Sequence, residues 1–445
     1  MFPNPQDALP LPLRPDLEQY KKQAKDLVSA CKSSESHAIG AWASRFIRTV
    51  TRLAGLTFTS ELPVSIERWT DQLGEFAQRK LTGSGNGKAA CVLAGAQFVI
   101  ARSHGFESWS RFAEHIEALA RSNSPVSNFE LAADAIVSGD TTTLERLLRE
   151  DPGLIRARST REHRATLLHY VSANGVESYR QKTPKNALRI LEILFEFGAE
   201  VDAEADVYGG GATTLGLVAT SVQPERTGVQ EELMTMLLDH GAEIERPGVA
   251  GNGHGAVAAC LANARVKAAE FLAARGAALD LEGAAGLGRI DLVRGFFNED
   301  GSLKSSATQA QMERGFQWAC GYGRRAVVDF LLHKDAGLLT AMSTGETGLH
   351  WAVMGGHLDI IKLLLEHGAS LELKNIYDGT ALGQALWSAV NSDTEVDYAR
   401  VVEVLVDAGA KIEEGSLAWL AKQAGGSSAL KERIAEVLRR HGAKS

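Results

Sequence analysis

The chain has 445 residues, enough for roughly two to four ordinary domains or one long array of repeats. Hydrophobic residues at 44% and charged residues at 23% exclude wholesale disorder, and a net charge of -8 argues against nucleic acid as the partner of the whole molecule. Residues 1–122 hold 15 basic and 12 acidic side chains; the remaining 32 and 43 make the longer C-terminal part acidic, a better match for a basic protein surface than for a phosphate backbone.

In chain order, the first sixteen residues show neither a basic n-region nor an apolar core, so no secretory signal is expected. Pro15-Asp16 opens a helix in which Leu17, Tyr20, Ala24, Leu27 and Val28 share one face. Trp42, Phe46, Ile47 and Val50 recur at helical spacing and predict a second. The glycine-rich run 82–89 falls short of a phosphate loop: Thr82 stands where the first glycine is needed, and Ala89 where Ser or Thr would meet magnesium. A helix is expected from Cys91 to Arg102, a turn at Gly105 and a further helix through Phe112 and Ile116. The longest apolar stretch, Val92 to Ala101, is too short to cross a membrane. Cys31, Cys91, Cys260 and Cys320 lie at least 60 residues apart, which predicts four buried, reduced thiols, no metal knuckle and a cytoplasmic location. The run Arg121 to Pro125 separates an N-terminal helical domain, 1–122, from a second part, 126–442.

The second part is periodic. Residues 344–369, TGETGLHWAVMGGHLDIIKLLLEHGA, place Leu349, Ala352 and Val353 on one short helix and Ile360, Ile361 and Leu364 on another. Gly355-Gly356 permits the turn between them, and Gly368 supplies the positive φ that ends the second helix. Neither apolar stripe can be buried alone, so neighbouring copies must stack. The segment resembles an ankyrin repeat, with Gly348 where that family usually has proline. Weaker copies run through Leu147-Leu148, from Thr166 to Ala199, from Thr213 to Ala242, to Gly276-Ala277, from Leu281 to Val293, from Phe316 to Gly323 and from Thr380 to Ala410. That makes about eight repeats, closed by a polar helix pair from Leu417 to Gly442. The expected fold class is all-α, an ankyrin-repeat solenoid of helix-turn-helix repeats with short β-turn fingers, preceded by an N-terminal helical domain. Residues 17–28 and 96–119 are similar to a helical leader that precedes such arrays in bacterial proteins.

The resemblance implies a non-catalytic protein-protein interaction scaffold. It would bind a protein of unknown identity through its concave face and finger tips, as a monomer, without nucleic acid, membrane or cofactor. By register the concave row holds Asn174, Ser221, Asn263, Tyr322, Met354 and Trp387, and the fingers hold Glu162, His163, Ser343, Thr344, Glu346 and Tyr377. Tyr322, Met354 and Trp387 would form an aromatic and thioether patch, with Trp318, Trp351 and Tyr170 in the core between repeats. His169 and His350 fall where the family's imidazole ties neighbouring repeats together, and no H-E-x-x-H, paired-carboxylate or G-x-S-x-G motif occurs, so neither metal binding nor catalysis is expected. Polar, turn-rich insertions at 177–184, 223–228 and 391–395 are expected along one edge. The rival reading is a small-molecule-binding protein or enzyme with a pocket at the second and third repeats, where His163, His169, Tyr170, Asn174, Tyr179, Asp206, Tyr208 and Thr213 concentrate.

Overall fold

A computed structural model describes residues 4–12, 14–55, 62–82, 91–121, 123–245, 255–340, 345–392 and 395–443. The chain divides into two compact units, Met1–Phe271 and Leu272–Ser445.

The first unit begins with five helices, α1 (Leu17–Lys32), α2 (Ala38–Leu53), α3 (Leu62–Thr82), α4 (Leu93–Ser103) and α5 (Trp109–Leu119). Asp16 caps α1 by accepting from the Glu18 amide at 2.9 Å. The apolar faces read from the sequence are buried: Tyr20 and Leu27 of α1, Trp42 and Phe46 of α2, Ile100 of α4 and Phe112 of α5 form one core. Helix α3 was not anticipated, although Trp69, Leu73, Ala77 and Leu81, each four residues from the next, form its buried stripe. Helix α1 packs along α4, which brings Cys31 and Cys91 into a disulfide with a Cα–Cα distance of 5.7 Å. The expectation of four reduced thiols is thereby corrected to two, Cys260 and Cys320, both buried. Sequence separation says nothing about distance once two helices pack side by side.

Helix α5 packs on α6 (Pro125–Ser138). Arg102 of α4 also pairs with Glu162 at 2.5 Å, and the Glu162 amide donates to the Gly105 carbonyl at 2.9 Å. The five N-terminal helices and the elements that follow them to Phe271 therefore share one unit. Beyond α5 the helices form two rows. One contains α6, the 3-10 turn Leu167–Ser172, α9 (Thr214–Thr220) and α12 (Ala256–Ala262); the other contains α7 (Thr141–Glu150), α8 (Ala187–Glu196) and α11 (Gln230–Asp239). A two-residue antiparallel ladder, β1 (Glu204–Ala205) with β2 (Ala212–Thr213), makes a finger. The insertion at 223–228 is mostly helical, as α10 (Val222–Thr227), instead of a turn. The unit boundary falls inside α13 (Val266–Ala274).

The second unit repeats the two-row pattern. Helices α14 (Leu281–Gly286), α16 (Gln309–Gly321), α18 (Gly348–Gly355) and α20 (Ala381–Asn391) pack in succession, as do α15 (Ile290–Gly295), α17 (Arg325–Lys334), α19 (Leu358–Glu366) and α21 (Tyr398–Asp407). A terminal pair, α22 (Ser416–Lys422) and α23 (Ser428–Arg440), covers α21 through α23.

Two backbone signatures hold the repeat register in both units. Where the sequence reads Gly-Ala after a second helix, the alanine amide reaches back five residues: Ala199 to Leu194, Ala242 to Leu237, Ala369 to Leu364 and Ala410 to Leu405, each at 2.9–3.0 Å. Two residues before four of the five threonines that cap a first-row element, all but Thr308 of α16, stands a left-handed residue. These are Arg164, Gly211, Gly345 and Asp378, preceding Thr166, Thr213, Thr347 and Thr380.

Candidate functional site

The two motif histidines do the same job in different repeats. The Nδ1 atoms of His169 and His350 each lie 2.8 Å from the hydroxyl of the capping threonine, Thr166 or Thr347. Their Nε2 atoms meet the next finger at the carbonyls of Ala212 (3.2 Å) and Gly379 (3.0 Å). Burial pushes the His169 imidazole down to about 4 and lowers His350 in the same sense. These rings tie repeats together in their neutral form.

Between the leader and the second repeat lies a buried ionic cluster. Arg161 Nε pairs with Glu177 Oε1 at 2.5 Å, and Arg180 Nη1 with Glu130 Oε2 at 2.7 Å. Arg180 Nε reaches Asp134 at 2.8 Å, and Arg161 donates to the His104 carbonyl at 2.7 Å. Burial opposes the charge on Glu130, but Arg180 and then Arg161 overcome it and hold the carboxyl at about 2. Glu177 is held well below the usual carboxylate range: burial opposes its charge, and the same two guanidiniums outweigh it. Burial raises the phenols of Tyr170 and Tyr179. It drives His104 down to about 3 and His115 to about 4. Two arginines and two glutamates thus neutralise one another in the interior, an arrangement suited to locking a geometry.

The insertion at 177–184, expected on a surface edge, is what supplies Glu177 and Arg180 to this interior. His163, expected at a finger tip, is fully buried, with Nε2 3.4 Å from Glu177. Glu162 is committed to Arg102. Of the concave-row residues in this unit, Asn174, Ser221 and Asn263 line one cleft of about 500 Å3 with Tyr208 and Thr220. Asn174 is tethered within it, donating to Thr220 Oγ1 at 3.1 Å and accepting from the Tyr208 hydroxyl at 2.6 Å. Ser221 is 3% exposed and donates to the Ala173 carbonyl, so it is an interior group, whereas Asn263 is exposed. A second, larger cleft of about 1380 Å3 lies between α5, the loop 158–164 and the segment 206–210.

In the second unit Tyr322 is half-buried, Met354 is open at the end of α18, and Trp387 is 52% exposed on α20. Glu346 is half-buried, which raises its carboxyl. Tyr377 is 79% exposed, beside Ile376, on a finger closed by Asn375, whose Oδ1 accepts from the Tyr377 and Gly379 amides at 3.0 Å. Ser343 and Thr344 lie outside the described residues, as do 83–90, 251–254 and 393–394. Trp318 and Tyr170 are buried as expected, and Trp351 is partly so. Among the described residues no group of three or more His, Cys, Asp or Glu could hold a metal ion.

Sequence reasoning missed Glu130, Arg161, Glu177 and Arg180. Buried charge has no period of its own, and a polar insertion reads as surface unless its partners are known. No curated protein matches the chain. Residues 316–415 match the family model for ankyrin repeats, in three copies, and this part of the molecule carries ankyrin repeats.

Proposed function

We propose that the chain is a non-catalytic protein-protein interaction scaffold whose ankyrin repeats hold a partner protein on their concave face and finger tips. The observation that carries this reading is the exposed apolar surface in the matched repeats, from Met354, Ile376, Tyr377 and Trp387. Aromatic and thioether side chains are the usual anchors of such surfaces, and the acidic composition of the chain beyond residue 122 favours a partner with basic residues around an apolar centre. Residues 1–122 serve in this reading as the N-terminal cap of the array. Among the described residues no helix is long and apolar enough to cross a membrane. The Cys31–Cys91 bridge favours an oxidising compartment over the cytoplasm.

The test is affinity capture on the full chain, comparing wild type with the Tyr377→Ala/Trp387→Ala double variant. Loss of a hot-spot aromatic costs about 2 kcal/mol or more, so a genuine partner is retained by wild type and lost with the double variant. Enrichment indifferent to both residues would remove the surface assignment, and no enrichment at all would count against a scaffold. The 1380 Å3 cleft favours a second role for the first unit, small-molecule binding at the second and third repeats.

A further inference from the structure

The larger cleft of the first unit is lined by five arginines, Arg102, Arg111, Arg158, Arg161 and Arg164, and four carboxylates, Glu107, Glu114, Glu162 and Asp206. Most of this charge is spent internally. Arg102 is taken by Glu162 at 2.5 Å, Arg111 by Glu114 at 3.4 Å and Glu107 at 3.7 Å, and Arg161 by Glu177 at 2.5 Å. Arg158 and Arg164 have no carboxylate within ion-pair distance among the described residues. The Arg158 guanidinium donates instead to two neutral carbonyls, of Arg164 at 3.1 Å and Glu204 at 2.5 Å. Those bonds fix it beside the Arg164 backbone without neutralising it.

We propose that this cleft binds a small phosphorylated molecule through its phosphate, with Arg158 and Arg164 as the phosphate-holding pair. The inference rests on the ligand-binding reading of the first unit and is independent of the partner reading of the second. Two uncompensated guanidiniums on one anchored loop match the several acceptor oxygens of a phosphate.

Backbone conformation supports the assignment independently of charge. Arg164 sits at φ +49°, the finger position that is glycine at Gly211 and Gly345 and aspartate at Asp378. A long side chain there is strained, and its own side chain is exposed, so it contributes nothing to the core. Tyr208, at φ +53°, is a second such residue on the same cleft, followed by Gly209, Gly210 and Gly211, all at positive φ. Strain of this kind is retained where a site needs it.

The remaining wall suits the rest of such a ligand. Asp206 is exposed, with no cation within ion-pair distance among the described residues, and can accept from hydroxyls. The Tyr208 ring is half-exposed and fixed by its bond to Asn174, leaving a planar surface for stacking. His115 is buried at the wall, its Nδ1 2.7 Å from Thr160 Oγ1 and its Nε2 without a hydrogen-bond partner among the described residues. The volume far exceeds a bare phosphate, which points to a phosphate ester of a hydroxylated body, the size of a sugar phosphate or a nucleotide.

The experiment is calorimetric titration of the full chain with inorganic phosphate, ribose 5-phosphate and AMP, with ribose and adenosine as uncharged counterparts, and hydrogen exchange read at 158–164 and 206–210. Binding of at least one phosphate probe is expected, weakened roughly tenfold or more by Arg158→Gln or Arg164→Gln. Arg156→Gln, an exposed arginine outside the lining, should leave it unchanged. Arg164→Gln is the decisive variant, because no other described residue accepts a bond from that side chain and the fold does not depend on it. Phosphate binding that ignores both arginines overturns the assignment. Protection by ribose or adenosine but by no phosphate probe overturns the anion site while leaving a ligand cleft. Protection by none of the five overturns both the site and the ligand-binding reading.

Discussion

The rings of His169 in the second repeat and His350 in the seventh make the same hydrogen bonds to Thr166 and Thr347 and to the next finger, yet the backbone beyond them differs. Gly348–Gly355 continues as an α-helix, whereas Leu167–Ser172 is a 3-10 turn. The Ser172 hydroxyl donates to the His169 carbonyl at 2.6 Å and accepts from the Asn174 amide at 3.2 Å, and Ala173 turns left-handed at φ +49°, so side-chain bonding competes with helix continuation. The seventh repeat then closes over aliphatic packing from Ile360, Ile361 and Leu364. The second packs Ile190, Leu191 and Leu194 of α8 in the same way, and adds Glu177 and Arg180, which reach back to Arg161 and to Glu130 of α6. The cap, the bridging imidazole and the aliphatic stripe set the repeat frame in both, and only the second adds buried charge where it meets the elements before it.

The largest effect is expected at Arg161. Arg161→Met would leave Glu177 buried without its nearest cation, a loss of about 3–5 kcal/mol. Segment-resolved hydrogen exchange in denaturant should show the first unit opening early while residues 345–392 keep their protection. A loss no larger than that of a surface substitution would mean that the cluster does not hold the second repeat together.

Acidification should separate the same two regions. The imidazoles of His104, His115 and His169 are depressed in the folded state to between about 3 and 4, from an ordinary 6.5. The unfolded chain therefore binds protons first. Their contribution is complete above pH 6.5 and is lost as pH falls through 4 towards 3. Glu130, held at about 2, adds its own loss from pH 4.5 downwards. A pH series of protection should fall sooner and further in the first unit than around His350; equal slopes would deny the difference in buried charge.

The smallest effect is expected at Arg164. Replacing it with glycine, the residue of Gly211 and Gly345 at that finger position, should stabilise the first unit by about 1 kcal/mol in thermal unfolding. Destabilisation would show that the arginine supports the fold and is not merely tolerated by it.

The repeat skeleton was legible because its signals are local. Gly-Ala endings, capping threonines and apolar stripes each occupy a few consecutive residues, and the helices of 344–369 fall where those signals put them. The leader was partly legible, through the faces of α1, α2, α4 and α5, while α3 was missed. The clefts were only partly readable. Register grouped Asn174, Ser221 and Asn263, which do share a wall, but no local pattern announces that Arg161 and Glu130, 31 positions apart, meet Glu177 and Arg180. Buried charge is specified by partners distant in sequence.

The Cys31–Cys91 bridge makes α2 and α3 a closed covalent loop. A backbone cut anywhere within that loop would leave both fragments tied together, so the leader tolerates proteolytic nicking without releasing α1 from α4. Opening the bridge also returns to the unfolded chain the freedom of a 60-residue segment. The same N-terminal helices are thus covalently secured under oxidising conditions and held by packing alone under reducing ones.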